Sequence, residues 1–133
     1  MEQFIKTYLL KHKFLYEPIH PTHIQSIYNL FYNNQYDEIE NGTVMLYYGI
    51  YCHINKDYDN MKIYYNKSID FGNARAMNNL GAYYANNNDY NSATMYFLMA
   101  AEGEYSTVLY NLGKCYWRLN NFDDAIKYCL LSI

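Results

Sequence analysis

The chain has 133 residues, room for one domain with a real core, and its 51% hydrophobic content excludes a disordered polymer. Its net charge is −3 with both signs scattered, which argues against nucleic acid as the main partner, because phosphate neutralisation shows as a basic excess. No uncharged stretch approaches the length of a membrane span, and Glu2, Lys6, Lys11 and Lys13 interrupt the apolar start, so neither a membrane helix nor a signal peptide is expected.

Tyr accounts for 19 residues, which keeps the mean hydropathy negative despite the apolar fraction, since Tyr buries a ring and leaves a hydroxyl for water or a partner. The abundance of Asn, Tyr, Ile and Lys suits an AT-rich genome. Cys52, Cys115 and Cys129 are odd in number and lack CxxC spacing. They read as reduced thiols of a soluble cytoplasmic protein, in the host-cell cytoplasm if the source is a virus.

Residues 3–16 are predicted to form an amphipathic helix carrying Phe4, Ile5, Tyr8, Leu9, Phe14 and Leu15. Pro18 and Pro21 break it, and Thr22 is a suitable N-cap for a second helix reaching about Asn34 with Ile24, Ile27, Leu30 and Phe31. Gln35–Asn41 reads as a short helix with Gly42 as its terminator. Residues 1–41 do not superimpose on the rest of the chain and read as a divergent first unit or N-terminal cap.

From Thr43 onward, helices are predicted at about 43–54, 59–70, 74–86, 91–102, 106–118 and 123–132. Their turns are Asn55-Lys56-Asp57, Asn87-Asn88-Asp89 and Leu119-Asn120-Asn121, each followed by an aromatic residue. Asn and Asp tolerate the left-handed backbone that a tight helix-to-helix turn requires.

Most of this region is one sentence repeated. Asn79-Leu80-Gly81-Ala82-Tyr83-Tyr84 returns as Asn111-Leu112-Gly113-Lys114-Cys115-Tyr116, an offset of 32 residues. Tyr90, Ala93 and Tyr96 return as Phe122, Ala125 and Tyr128, and a fainter copy runs through Gly49, Cys52, Tyr58, Met61 and Tyr64. A period of this size marks stacked helix pairs that bury their apolar faces on one another. Residues 42–133 hold three such pairs. Gly81 is expected to face Ala93, and Gly113 to face Ala125, so that antiparallel helices approach closely. A helical Gly costs about 1 kcal/mol relative to Ala, and close packing offsets it.

The residues Leu80, Gly81, Tyr84, Tyr90, Ala93 and Phe97, repeated as Leu112, Gly113, Tyr116, Phe122 and Ala125, resemble the tetratricopeptide superfamily. The link Gly72-Asn73-Ala74-Arg75-Ala76, leading to Leu80-Gly81, is similar to the signature of the Sel-like branch. Ala100-Ala101-Glu102-Gly103 resembles that branch's next link. The resemblance covers roughly residues 42–133 and is strong over 72–128.

The resemblance implies an all-α, right-handed superhelical solenoid of antiparallel helix pairs with a concave, peptide-binding side lined by the first helix of each pair. Carried over residue by residue, the inward candidates are Leu46, Ile50 and His53, then Arg75, Asn78, Ala82 and Asn86, then Tyr110, Lys114, Trp117 and Arg118. A Trp beside cations suits an acidic or C-terminal peptide. The alternative is that Trp117 covers the next helix while Lys114 and Arg118 are solvated.

Other chemistry is thin. His20, His23, Cys52 and His53 lack the four-ligand spacing of a structural zinc site, and Cys115 has no activating neighbour in the sequence. No Gly-rich phosphate loop occurs, and no cofactor is expected. The Tyr residues recur at packing positions, which makes them core rather than base-stacking platforms.

The function expected is that of a non-enzymatic interaction scaffold binding a protein or peptide, with acidic character favoured, and neither nucleic acid nor membrane. The alternatives are a structural module assembling through its repeat ends and a helical-repeat nucleic-acid binder. The sequence stops inside the second helix of a unit, where Ile126, Leu130 and Ile133 recur at helical spacing with Leu131 beside them. That stripe is expected to be covered by the same end of a second copy in a homodimer, with a partner protein as the other cover.

Overall fold

A computed structural model of the protein describes residues 42–103 and 106–133. The chain divides into two compact units, Met1–Asn73 and Ala74–Ile133. Among the described residues, all regular structure is helical: α1 (Gly42–Ile54) and α2 (Tyr58–Asp70) in the first unit, then α3 (Ala74–Asn86), α4 (Tyr90–Ala101), α5 (Ser106–Arg118) and α6 (Phe122–Leu131) in the second. The helices predicted at 3–16, 22–34 and 35–41 lie outside the described residues.

The same turn closes each helix pair. Lys56, Asn88 and Asn120 sit in the left-handed region at φ of 60°, 62° and 61°. The next residue's N–H returns five residues back, Asp57 to Cys52 O, Asp89 to Tyr84 O and Asn121 to Tyr116 O, each at 2.9 Å. A three-back bond accompanies it each time, such as Asn88 N–H to Ala85 O at 3.0 Å. This is the Schellman arrangement, which satisfies carbonyls left orphaned at a helix end. The same Asp57, Asp89 or Asn121 then caps the following helix, its side chain accepting from the backbone N–H of Asn60, Ser92 or Asp124. Because that residue is the cap, α2, α4 and α6 start on the aromatic residue after it, one position earlier than the hydrophobic pattern suggests.

In the first unit, α1 is buried continuously from Val44 to Ile50, as expected of a helix that is apolar all round. Leu46 and Ile50, expected on the inward-facing side, are 2% and 0% exposed and therefore belong to the core. Gly42 is the first described residue of α1. A Cβ there would lie 2.7 Å from Phe71 Cβ, and the Gly42 carbonyl accepts from the Ser68 hydroxyl at 2.6 Å.

The second unit stacks two hairpins, α3–α4 and α5–α6, with α4 packed against α5. Its core joins Ala93, Phe97 and Ala100 of α4 to Val108, Leu112 and Cys115 of α5. Burying a side chain such as Leu112 or Phe97 contributes about 1.5–3 kcal/mol. Within the hairpins, Tyr84 stacks on Tyr96 with centroids 5.6 Å apart, and Tyr116 stacks on Tyr128 at 5.5 Å. The period is thus repeated in side-chain geometry as well as in letters.

The atoms nearest the helical Gly49, Gly81 and Gly113 belong mainly to a larger side chain, with the expected Ala125 also against Gly113. A Cβ on Gly81 would meet the Phe97 ring at 2.8 Å, and one on Gly49 would meet the Tyr65 ring at 2.5 Å. On Gly113 it would meet Cys129 Sγ at 2.5 Å and Ala125 O at 3.2 Å. The side chain that each Gly accommodates therefore lies one helical turn beyond the small residue, at positions 65, 97 and 129, which are themselves 32 residues apart.

Candidate partner-binding groove

Between the first helices of the two hairpins in the Ala74–Ile133 unit lies a cavity of about 230 Å³. Helix α3 contributes Ala82, Ala85 and Asn86 to it, one helical turn of a single face. Helix α5 contributes Asn111, Lys114, Cys115 and Arg118, the i, i+3, i+4, i+7 stripe of the facing helix. Tyr90 and Phe97 complete it from α4. The small Ala side chains on α3 are what open the space, since larger residues there would close it against α5. Ligand pockets for drug-sized molecules are ~300–1,000 Å³, so this one suits an inserted side chain of a larger partner.

One wall is cationic and held by aromatics. Lys114 Nζ lies 4.8 Å from the Tyr110 ring centroid, and Arg118 Cζ lies 6.0 Å from that of Tyr90, cation–π placements that fix two long side chains. Both cations are exposed, and among the described residues neither is paired with a carboxylate. The Asn111 amide donates to Asn78 Oδ1 across the helices, at 3.4 Å. Burial pushes the Cys115 thiol above its ordinary range, the reverse of the shift that activates a nucleophile.

Ala82, Asn86, Lys114 and Arg118, four of the residues expected from the sequence, are therefore brought together. Tyr110 stands beside them under Lys114, and Asn78 reaches them through Asn111. Arg75 is half-buried one turn before Asn78 and does not line the cavity. Trp117 does not line it either: the side chain is 59% exposed and packs edge-on against Phe122, centroids 4.8 Å apart. His53 belongs to the Met1–Asn73 unit, where its ring lies 3.4 Å from the Tyr65 hydroxyl and burial lowers its pKa. The neighbouring Cys52 is buried and its thiol is pushed up to about 12, chiefly by that burial.

The sequence pattern does not mark Ala85, Tyr90, Phe97, Asn111 and Cys115 as cavity residues. Asn111 was within reach, since it lies one turn before Lys114 on the same stripe. Tyr90 and Phe97 come from a second helix, which only the hairpin's packing places there. Ile126, Leu130 and Leu131 of α6, and Ile133 after it, are all exposed.

Among the described residues, no helix is long and apolar enough to cross a membrane. No curated protein matches the chain. Residues 106–133, which span α5, its turn and α6, match the family model of the tetratricopeptide repeat. The hairpin that carries Lys114 and Arg118 is thus similar to the repeat that the residue pattern resembles.

Proposed function

We propose that the protein is an interaction scaffold that takes an acidic segment of a protein partner in the α3–α5 groove. The observation that carries this reading is the pair Lys114 and Arg118, each rested on an aromatic ring, unpaired with any carboxylate among the described residues, and aligned along one wall of the cavity. A carboxylate entering the groove meets both cations, while the amides of Asn86 and Asn111 offer donors and acceptors to the segment's backbone. The short side chains of Ala82 and Ala85 let the segment approach α3 closely.

Exposed ion pairs contribute about 0.2–1 kcal/mol each, so the affinity expected of this wall is modest and salt-sensitive. The three free thiols suit action in a reducing compartment such as the cytoplasm. The turn at Gly72, with φ of 79°, falls on the Gly of the Gly-Asn-Ala-x-Ala link and supports the Sel-like branch.

The test is fluorescence anisotropy with a labelled peptide alternating Glu and Leu, against its Gln counterpart. Saturable binding of the Glu peptide alone is expected, lost in a Lys114→Glu, Arg118→Glu variant. Equal binding of both peptides, or stronger retention of a single-stranded oligonucleotide at moderate salt, would overturn the reading.

A further inference from the structure

One position inside the groove departs from its equivalents in the repeat. Residues 53, 85 and 117 are 32 apart, and so are 58, 90 and 122. In the Met1–Asn73 unit, His53 meets Tyr58 edge to face, with ring centroids 6.0 Å apart and planes at 71°. In the last hairpin, Trp117 meets Phe122 the same way, at 4.8 Å and 68°. The hairpin between them keeps the second ring as Tyr90 but carries Ala at position 85. Ala85 and Tyr90 both line the cavity of about 230 Å³, so the space that an aromatic side chain fills in the other two hairpins opens here into the groove.

The Tyr90 ring is fixed in place, because its hydroxyl donates to Asn88 Oδ1 at 3.1 Å. Arg118 reaches over that ring from α5, but its Cζ stays 6.0 Å from the centroid and its side chain is exposed, so it does not fill the space. The lining is graded by depth. Phe97 and Cys115 are buried, Ala82 and Ala85 are half-buried, and Lys114 and Arg118 are exposed at the mouth.

We propose that the partner's segment inserts an aromatic side chain at this point, against Tyr90 and between Ala85 and Phe97, supplying from outside the ring that positions 53 and 117 supply from within the chain. This rests on the groove reading above and adds the anchor residue to it. The buried end of the cavity offers only the weakly polar Cys115 thiol to water, so an apolar group gains affinity by displacing poorly held solvent there. A ring is favoured over an aliphatic anchor because Tyr90 presents a ring to it, and edge-to-face pairs are attractive beyond the area they bury. Charge complementarity sets the flanks: with Lys114 and Arg118 at the mouth, the residues beside the anchor carry carboxylates. The partner chemistry is therefore an aromatic residue between acidic ones.

The experiment compares the alternating Glu–Leu peptide with one in which a central Leu is replaced by Phe, by fluorescence anisotropy on the whole chain, and follows the Ala85 methyl by nuclear magnetic resonance. The Phe peptide is expected to bind about threefold to tenfold more tightly, with an upfield ring-current shift of the Ala85 methyl at saturation. Ala85→His, which restores the residue type of position 53, is expected to erase the difference between the two peptides, and so is Tyr90→Leu. Equal affinity of both peptides for the wild type, with both lost in Lys114→Glu, Arg118→Glu, overturns the aromatic anchor and leaves the groove reading standing. A Phe preference with the Ala85 methyl unmoved also overturns the anchor, because the ring then seats elsewhere. The peptide comparison and the methyl shift are read on the wild type, so neither depends on a cavity variant that folds. Failure of both peptides to bind overturns the groove reading itself, and the anchor with it.

Discussion

Gly81→Ala sets two known effects against each other. Ala is the better helix former by about 1 kcal/mol, so on an open helix surface the change would stabilise the protein. Here the new Cβ would sit 2.8 Å from two atoms of the Phe97 ring and 3.2 Å from a third. Ordinary van der Waals contact needs 3.4–4 Å, so the ring must withdraw by more than half an ångström. Phe97 is fully buried in the core shared by α4 and α5, and such interiors resist shifts of that size. Overpacking of this kind costs about 1–3 kcal/mol, which offsets the propensity gain and leaves a net loss of up to about 2 kcal/mol. Phe97→Leu alone is expected to lose a similar amount through its cavity. In the double variant the Ala methyl occupies space vacated by the ring, so the losses should fall short of additivity by about 1 kcal/mol. Urea denaturation followed by far-UV circular dichroism measures all four corners of this cycle. A Gly81→Ala variant that gains about 1 kcal/mol, or a strictly additive pair, would refute the close approach.

Lys56 holds a left-handed conformation that Asn occupies at the equivalent positions 88 and 120, so Lys56→Gly is expected to raise unfolding stability by about 0.5–1 kcal/mol and Asn88→Gly by less; thermal melts of both variants check the order. The folded-state pKa of His53 is lowered by burial from the ordinary 6.5, so its contribution to stability is present above pH 6.5 and lost as pH falls below it. Tm should therefore drop more steeply on acidification in the wild type than in His53→Gln, and parallel curves would count against a neutral, half-buried His53.

Much of the helical architecture was legible because the repeat is written in residue types with single uses. Gly81 and Gly113 announce close approach, Asn88 and Asn120 announce a left-handed turn, and the Tyr84–Tyr96 and Tyr116–Tyr128 spacings announce paired helices. What the letters do not carry is rotation of one helix about its own axis relative to its neighbour. That rotation seats the Phe97 ring against Gly81, while α1, buried on every face from Val44 to Ile50, takes Leu46 and Ile50 into the core. The groove was legible on its α5 wall, where Lys114 and Arg118 share a stripe, and illegible on its α4 side, since Tyr90 and Phe97 look in sequence like ordinary core. Trp117 shows the limit of reasoning by proximity: adjacent to Arg118 in the chain, it turns about 100° away around the helix and packs on Phe122 instead.

The central claim is that the α3–α5 groove is where a partner's acidic segment binds. The direct measurement is a titration of the isotopically labelled protein with the alternating Glu–Leu peptide, followed by nuclear magnetic resonance of the Asn side-chain amides and backbone amides. Progressive shifts are expected at Asn86, Asn111, Lys114 and Arg118, and they should vanish on adding salt. Shifts confined to the Met1–Asn73 unit or to the exposed stripe of α6, with those four residues unmoved at saturation, would contradict the claim.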